Sequence, residues 1–289
     1  MSINSQPPCR LFMIMARQAK TAVIFRRGPS KWTQLIKWDT KTDNFEYGPW
    51  FKGRIYEKRC DLSPDDKFLI YFASKFNQKT VSDSEYTYAW SATSKPPWLT
   101  ALALWPKGDC WHGEGLFSNN KSVMLNHRPH AAANHPKHAP PRWLKIQSNP
   151  DASGEDDPLY SNRLTRDGWK IRQDWHIEHT QRDGYITHQP EVRIFRNPKN
   201  PLVLVMNRHL AKYTYYETYE IENLTTGITI KLEAEYARWD QRGRLAITHE
   251  GKLQLGFIGE NSELLIKEIA NFNENKPEEV ISPSWAKKW

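Results

Sequence analysis

Short apolar runs recur along this chain, and each is bounded by a polar turn. Phe68-Leu69-Ile70-Tyr71-Phe72 is the strongest of them. Five successive aromatic or aliphatic residues suit a strand buried on one or both faces. Ser63-Pro64-Asp65-Asp66 precedes it. Proline sets φ for the first central position of a turn, and aspartate bonds back to its own backbone. Residues 11–16, 21–25, 32–38, 45–47 and 50–56 read as further strands, divided at Gly28-Pro29-Ser30 and at Gly48-Pro49. Downstream, residues 86–90, 99–105, 192–195, 202–206, 213–221, 228–232, 245–248 and 253–258 repeat the pattern. Arg166-Asp167-Gly168 and Arg182-Asp183-Gly184 each put Asp-Gly, a hairpin signal, ahead of a β-like run. Residues 264–269 fit a strand or a short helix. Turns about every 8–12 residues predict an all-β fold: a sandwich, barrel or propeller.

Three segments share one plan: residues 61–72, 116–125 and 239–248. In each, an apolar residue precedes a polar turn, a basic residue (Lys67, Lys121, Arg244) follows it, and an apolar strand comes next. Asp66 and Asn120 lie 54 residues apart. A period near 50 suits a propeller blade, a sheet of four strands. The expectation is a β-propeller of five four-stranded blades forming a single domain over residues 1–289, with six blades or a β-sandwich as alternatives. Residues 127–159 interrupt the pattern with Pro129, Pro136, Pro140, Pro141, Pro150 and Pro158. They read as a long loop, an insertion or a connector.

Residues 61–72 resemble the Ser-Pro-Asp-Gly-Lys signature of TolB-type and WD-like β-propeller repeats, with Asp66 where that signature has glycine. Residues 239–246 are similar to the same signature. The resemblance implies a fold and no particular activity, because propellers serve as scaffolds, sugar hydrolases and binding platforms.

Composition refines this picture in three ways. Hydrophobic residues are 38%, yet 13 of the aromatics are tryptophan, so large rings supply the core area. The net charge of +8 favours anionic partners, although the basic residues are dispersed and the short runs Arg26-Arg27 and Lys287-Lys288 are pairs. Cys9, Cys60 and Cys110 are widely spaced and suggest neither a disulfide framework nor a zinc site. No apolar run reaches the ~18–20 residues that span a bilayer. Residues 11–16 are too short for a leader core, so a soluble cytoplasmic protein with no membrane association is expected.

Four groups of residues carry candidate chemistry. Asp109, Cys110, His112 and Glu114 pack two acids, a thiol and an imidazole around Gly113 and Gly115. A thiolate needs a nearby base, and Cys110 and His112 would share a face if the segment were a strand. His127, His130, His135 and His138 are spaced like ligands to a transition metal, but no carboxylate or cysteine is interleaved and the proline-rich context pre-organises little. No cofactor is expected. Asp65, Asp109, Glu114, Asp183, Glu191 and Asp240 are possible members of a glycosidase acid pair, with Asp65 and Asp240 better explained as turn residues. Trp111, Arg208, Lys212 and Tyr215 are candidate ligand-binding residues, Tyr215 within the tyrosine-rich run 213–219; rings beside basic groups stack on bases or sugars, and aromatics are also ordinary strand residues. The expected function is a non-catalytic protein-interaction or ligand-binding scaffold whose partner is another protein. A carbohydrate-active hydrolase with its site in the propeller funnel, and a nucleic-acid-associated protein recruited by charge, are the alternatives; no nucleic-acid-binding motif is present.

Overall fold

The computed structural model describes residues 6–28, 30–157, 159–180, 184–212, 214–259 and 263–289. The fold is all-β, of the five-bladed β-propeller class, with sheets of four, five, three, seven and four strands. The chain divides into two compact units, residues 1–163 with 274–289, and residues 164–273.

The first unit holds three sheets. Strands β1 (Arg10–Met15), β2 (Thr21–Arg27), β3 (Trp32–Asp39) and β4 (Asn44–Lys52) pair antiparallel in chain order. Gly48-Pro49, expected to break the chain, lies within β4, where the register with β3 slips between Gln34 and Ile36. Gly48 is required there, because a Cβ would collide with the carbonyl oxygen of Pro97.

The second sheet contains β5 (Arg54–Ile55), β6 (Asp61–Leu62), β7 (Leu69–Ser74), β8 (Ala89–Ser94) and β9 (Ala103–Pro106). Both β5 and β6 pair with β7, one at each of its ends. Together they act as one edge strand, interrupted by the 3₁₀ turn Glu57–Arg59. The Ser63 turn behaves as its composition demands. The Ser63 hydroxyl accepts the Phe68 N–H at 3.0 Å, and Asp66 takes the left-handed conformation (φ 61°) that glycine fills in the repeat signature. The Asp66 carboxylate also accepts Thr21 Oγ1 at 2.7 Å and pairs with Lys37 at 3.1 Å, so the substituted residue ties this turn to the first sheet.

The third sheet is the hairpin of β10 (Gly115–Asn119) and β11 (Ser122–Leu125), extended by β12 (Lys145–Ser148) running parallel to β11. The proline-rich segment 127–159 therefore contributes a strand as well as loops. Phe68, Ile70, Trp105, Phe117, Val123 and Leu125 form the core between the second and third sheets. The C-terminal segment returns to this core, where the Trp289 ring lies 5.4 Å from Phe68. Two short α-helices, α1 (Gln78–Ser82), opened by an Asn77–Thr80 capping box, and α2 (Leu159–Arg166), and 3₁₀ turns at Pro129–Ala131 and Ser284–Lys287 join the Glu57–Arg59 turn as the described helical structure.

The second unit holds two sheets. Strands β13 (Lys170–Gln173), β14 (His176–Thr180), β15 (Gly184–Gln189), β16 (Glu191–Arg196), β17 (Leu202–Lys212), β18 (Thr214–Asn223) and β19 (Thr229–Leu232) form the larger one, around the long β17–β18 pair. Strands β20 (Tyr236–Trp239), β21 (Leu245–His249), β22 (Lys252–Ile258) and β23 (Leu264–Asn271) form the other, antiparallel in chain order. Residues 264–269 thus resolve as strand. Asp167-Gly168 does not turn a hairpin: Gly168 donates to the Thr165 carbonyl with φ 101° and closes helix α2. Asp183 lies outside the described residues, while Gly184 opens β15 opposite Thr180.

Candidate functional site

Strands β7, β8 and β9 are neighbours and antiparallel, so the connections 75–88 and 107–114 leave the same end of the second sheet. The turn Glu57–Arg59 lies beside the middle of β7, between β5 and β6, and Arg59 reaches the 107–114 connection, which Asn126 after β11 also contacts. The two connections touch: the Gly108 Cβ position is 3.9 Å from the Thr87 methyl, and Lys107 N–H donates to the Ala89 carbonyl at 2.9 Å.

Beneath these loops is a buried polar bed. Arg59 is fully buried and donates through Nη1 to the carbonyls of Cys110 (2.7 Å) and His112 (3.1 Å) and through Nε to Asp156 (3.0 Å). Its guanidinium also lies 4.7 Å from the Tyr56 ring and 5.5 Å from that of Phe72. A guanidinium with five fixed donors suits this work, because it satisfies loop carbonyls that turn inward away from water. Glu114 is fully buried beside it. Asn126 Nδ2 donates to Glu114 Oε1 at 2.5 Å, and Oε2 has no hydrogen-bond partner among the described residues. Burial pushes the Glu114 carboxyl well above its ordinary range, against the opposing pull of Arg59 and the Asn126 amide.

The segment that carries Asp109, Cys110, His112 and Glu114 is a bent loop. His112 (φ 56°) and Gly113 (φ 73°) are both left-handed, and a Cβ at Gly113 would strike the Phe72 ring. The expected strand alternation of Cys110 and His112 is therefore absent, and among the described residues no hydrogen bond joins them. Cys110 lies instead beside Tyr56, whose hydroxyl is raised by burial and then by that thiol. Asp109 pairs with Lys107 at 2.7 Å and accepts the Trp111 N–H at 2.8 Å, a local turn arrangement. The loop as a whole is clamped by Arg59, by His112 N–H to the Gly154 carbonyl and by Gly113 N–H to that of Asn126.

Trp111 on this clamped loop is 62% exposed, and the neighbouring 75–88 connection carries Phe76, 63% exposed, and the exposed Val81 of helix α1. Phe76 is packed on one side by Tyr88, with ring centroids 4.4 Å apart.

The histidines are dispersed among structural tasks. His127 is buried; its Nδ1 faces the Ala131 carbonyl at 3.1 Å and its Nε2 the Ser91 hydroxyl at 2.9 Å. A carbonyl only accepts, so Nδ1 carries the proton and Nε2 accepts from serine. Burial lowers the His127 pKa to about 4. His135 bonds Glu85 at 3.0 Å and stacks on Tyr86 at 4.2 Å, His138 reaches the Tyr86 hydroxyl at 3.5 Å, and His130 is exposed. Among the described residues no group of three histidine, cysteine or acidic side chains is placed to hold a metal ion.

In the second unit, Arg208 is buried. Glu191 bridges it at 2.6 Å and Arg193 at 2.7 Å, and its guanidinium lies 5.2 Å from the Trp175 ring and 6.0 Å from that of Tyr215. Tyr215 is exposed; Tyr213 and the side chain of Lys212 lie outside the described residues. Asp65 and Asp240 hold turns, with Asp240 Oδ1 accepting the N–H groups of Arg242 and Arg244 at 2.8 Å each.

Sequence reasoning does not single out Arg59, Asn126 or Asp156. A buried arginine is rare and has no local signature. The Asn77–Thr80 box is the one local signal that was available for helix α1.

A scan against protein-family models matches none of them, and a search of curated proteins finds no significant match. Among the described residues no helix is long and apolar enough to cross a membrane.

Proposed function

We propose that this protein is a non-catalytic interaction scaffold and that the loop-rich end of its first unit receives another protein. The observation that carries the reading is Trp111: a large exposed ring held on a loop whose backbone is fixed by a buried arginine. Binding energy concentrates in rigid aromatic anchors, which lose little entropy on docking. Phe76 and Val81 on the neighbouring connection are exposed apolar groups too, and exposed apolar groups gathered on loops at one end of a sheet mark contact sites. Three of the candidate acids, Asp109, Asp240 and Glu191, support the same reading, because each serves turn or ion-pair geometry. We also propose kinship of the 61–72 and 239–246 segments with TolB-type and WD-like repeats, and residence in the cytoplasm.

The test is quantitative affinity purification from cells expressing the wild type or Trp111→Ser at equal level. The reading expects a near-stoichiometric protein partner that falls at least tenfold with the variant. A partner retained in full by Trp111→Ser, or co-purifying nucleic acid removed by salt, contradicts it.

A further inference from the structure

The basic residues are dispersed along the sequence, and the fold gathers several of them at one place in the first unit. Strands β1 and β2 set Arg10 directly opposite Arg27. Like charges that face each other across a strand pair destabilise a sheet. Arg27 pairs with Glu57 at 3.0 Å. Burial lowers the Arg27 pKa; Glu57 opposes that, Arg54 and Arg10 add to it, and Asp156 opposes it weakly. Three guanidiniums thus stand around one ion-paired carboxylate. The neighbouring acids Glu155 and Asp156 are engaged by the buried Arg59, at 3.5 and 3.0 Å. Arg10 and Arg54 are exposed, and among the described residues neither pairs with a carboxylate.

Arg54 ties this cluster to the Trp111 loop. It opens β5 opposite Ser74, the last residue before the 75–88 connection. Its guanidinium lies 5.2 Å from the centre of the Tyr56 ring. The Tyr56 hydroxyl stands 3.4 Å from Ser74 Oγ and beside the thiol of Cys110, the residue before Trp111. The ring orders the Arg54 side chain and leaves its charge without a counter-ion. Lys31 and Lys52, both exposed, add positive charge at the same end of the first sheet, where the Lys31 carbonyl accepts the Gly53 N–H at 2.9 Å. Bases held together against their own repulsion, with so few acids among them, complement a negative surface.

We propose that Arg10 and Arg54 form a site for an acidic protein segment, and that this segment belongs to the protein that docks on Trp111. The proposal rests on the reading of the Trp111 loop as a docking surface and adds the chemistry of the partner. Each guanidinium offers a planar fork of donors that matches a carboxylate.

Two assays separate the acidic site from the Trp111 reading. The first follows labelled decaglutamate by fluorescence anisotropy with the full chain, at low ionic strength, where exposed charges are least screened. Arg10→Glu with Arg54→Glu is compared with a control, Lys20→Glu with Lys121→Glu. The control changes the net charge equally, at exposed lysines in the β1–β2 and β10–β11 turns. Thermal melting checks that the fold is kept. Affinity for decaglutamate is expected to fall at least tenfold in the arginine variant and less than threefold in the control. The second assay repeats the affinity purification with both double variants, and the partner is expected to fall at least tenfold with the arginine variant only. The proposal is overturned by no binding of decaglutamate, by equal loss in the two double variants, or by tighter binding of a ten-nucleotide oligothymidylate. It is overturned too by a partner that falls with Trp111→Ser and is retained in full by the arginine variant, a result that leaves the Trp111 reading standing. A partner lost with the arginine variant and retained by Trp111→Ser sinks the Trp111 reading alone and still supports the acidic site.

Discussion

The amide of Asn126 donates to the buried carboxyl of Glu114 at 2.5 Å, across twelve residues of chain and beside the Gly115–Leu125 pair at one end of the third sheet. The backbones of the same two residues are joined as well, by Asn126 N–H to the Glu114 carbonyl at 3.0 Å. This pair closes the base of the loop that presents Trp111.

Glu114 gives the fold a pH dependence. Its folded pKa is raised, so it contributes fully below the ordinary value near 4.5. Above that value the unfolded chain ionises first, and stability falls by up to about 1.4 kcal/mol per pH unit until the folded carboxyl also ionises. Glu114→Gln removes this dependence. Urea unfolding between pH 5 and 8 is expected to show the variant gaining on the wild type as pH rises; a constant difference contradicts the assignment.

His127 acts with the opposite sign. Its folded pKa of about 4 lies below the ordinary 6.5, so its contribution is full above pH 6.5 and is lost as pH falls toward 4. The loss amounts to about 3 kcal/mol. Relative to His127→Gln, the wild type should lose that amount between pH 7 and pH 4 in chemical denaturation.

How much of this was legible in the sequence differs by level. The alternation and turn chemistry around residues 61–72, 116–125 and 239–248 locate real strand pairs, because turn residues and apolar strands are local signals. Asp66 in place of glycine was readable as a departure, and its tertiary role beside Thr21 and Lys37 was not, since those partners come from another sheet. Gly48-Pro49 and Asp167-Gly168 misled, because the same residues that turn a hairpin also make a bulge or end a helix. At the candidate site, Trp111 and Glu114 were visible as unusual residues among glycines. The guanidinium that organises them was invisible, because Arg59 lies fifty residues upstream in an ordinary charged run.

Arg59 should be the least replaceable residue of that bed. Arg59→Met removes the donors to the Cys110 and His112 carbonyls and strands Asp156. The expected cost is about 3 kcal/mol or more. Proteolysis should begin to cut within residues 107–114 before global unfolding. Retention of wild-type protection there would show that the loop does not depend on Arg59.

Glu191 plays the matching part in the second unit. Glu191→Gln leaves the buried Arg193 and Arg208 without their shared carboxylate. A loss of about 3–5 kcal/mol is expected, measured by denaturant unfolding. A change below about 1 kcal/mol, the range of an exposed pair, would contradict the buried bridge.

The central claim is that the clamped Trp111 loop is a surface on which another protein docks. Its most direct test is a photo-crosslinking amino acid placed at position 111 in living cells, with the exposed Glu46 of β4 as the control position. The account predicts one dominant protein adduct from position 111 and none of that adduct from position 46. The same faint, unselective labelling from both positions would contradict it.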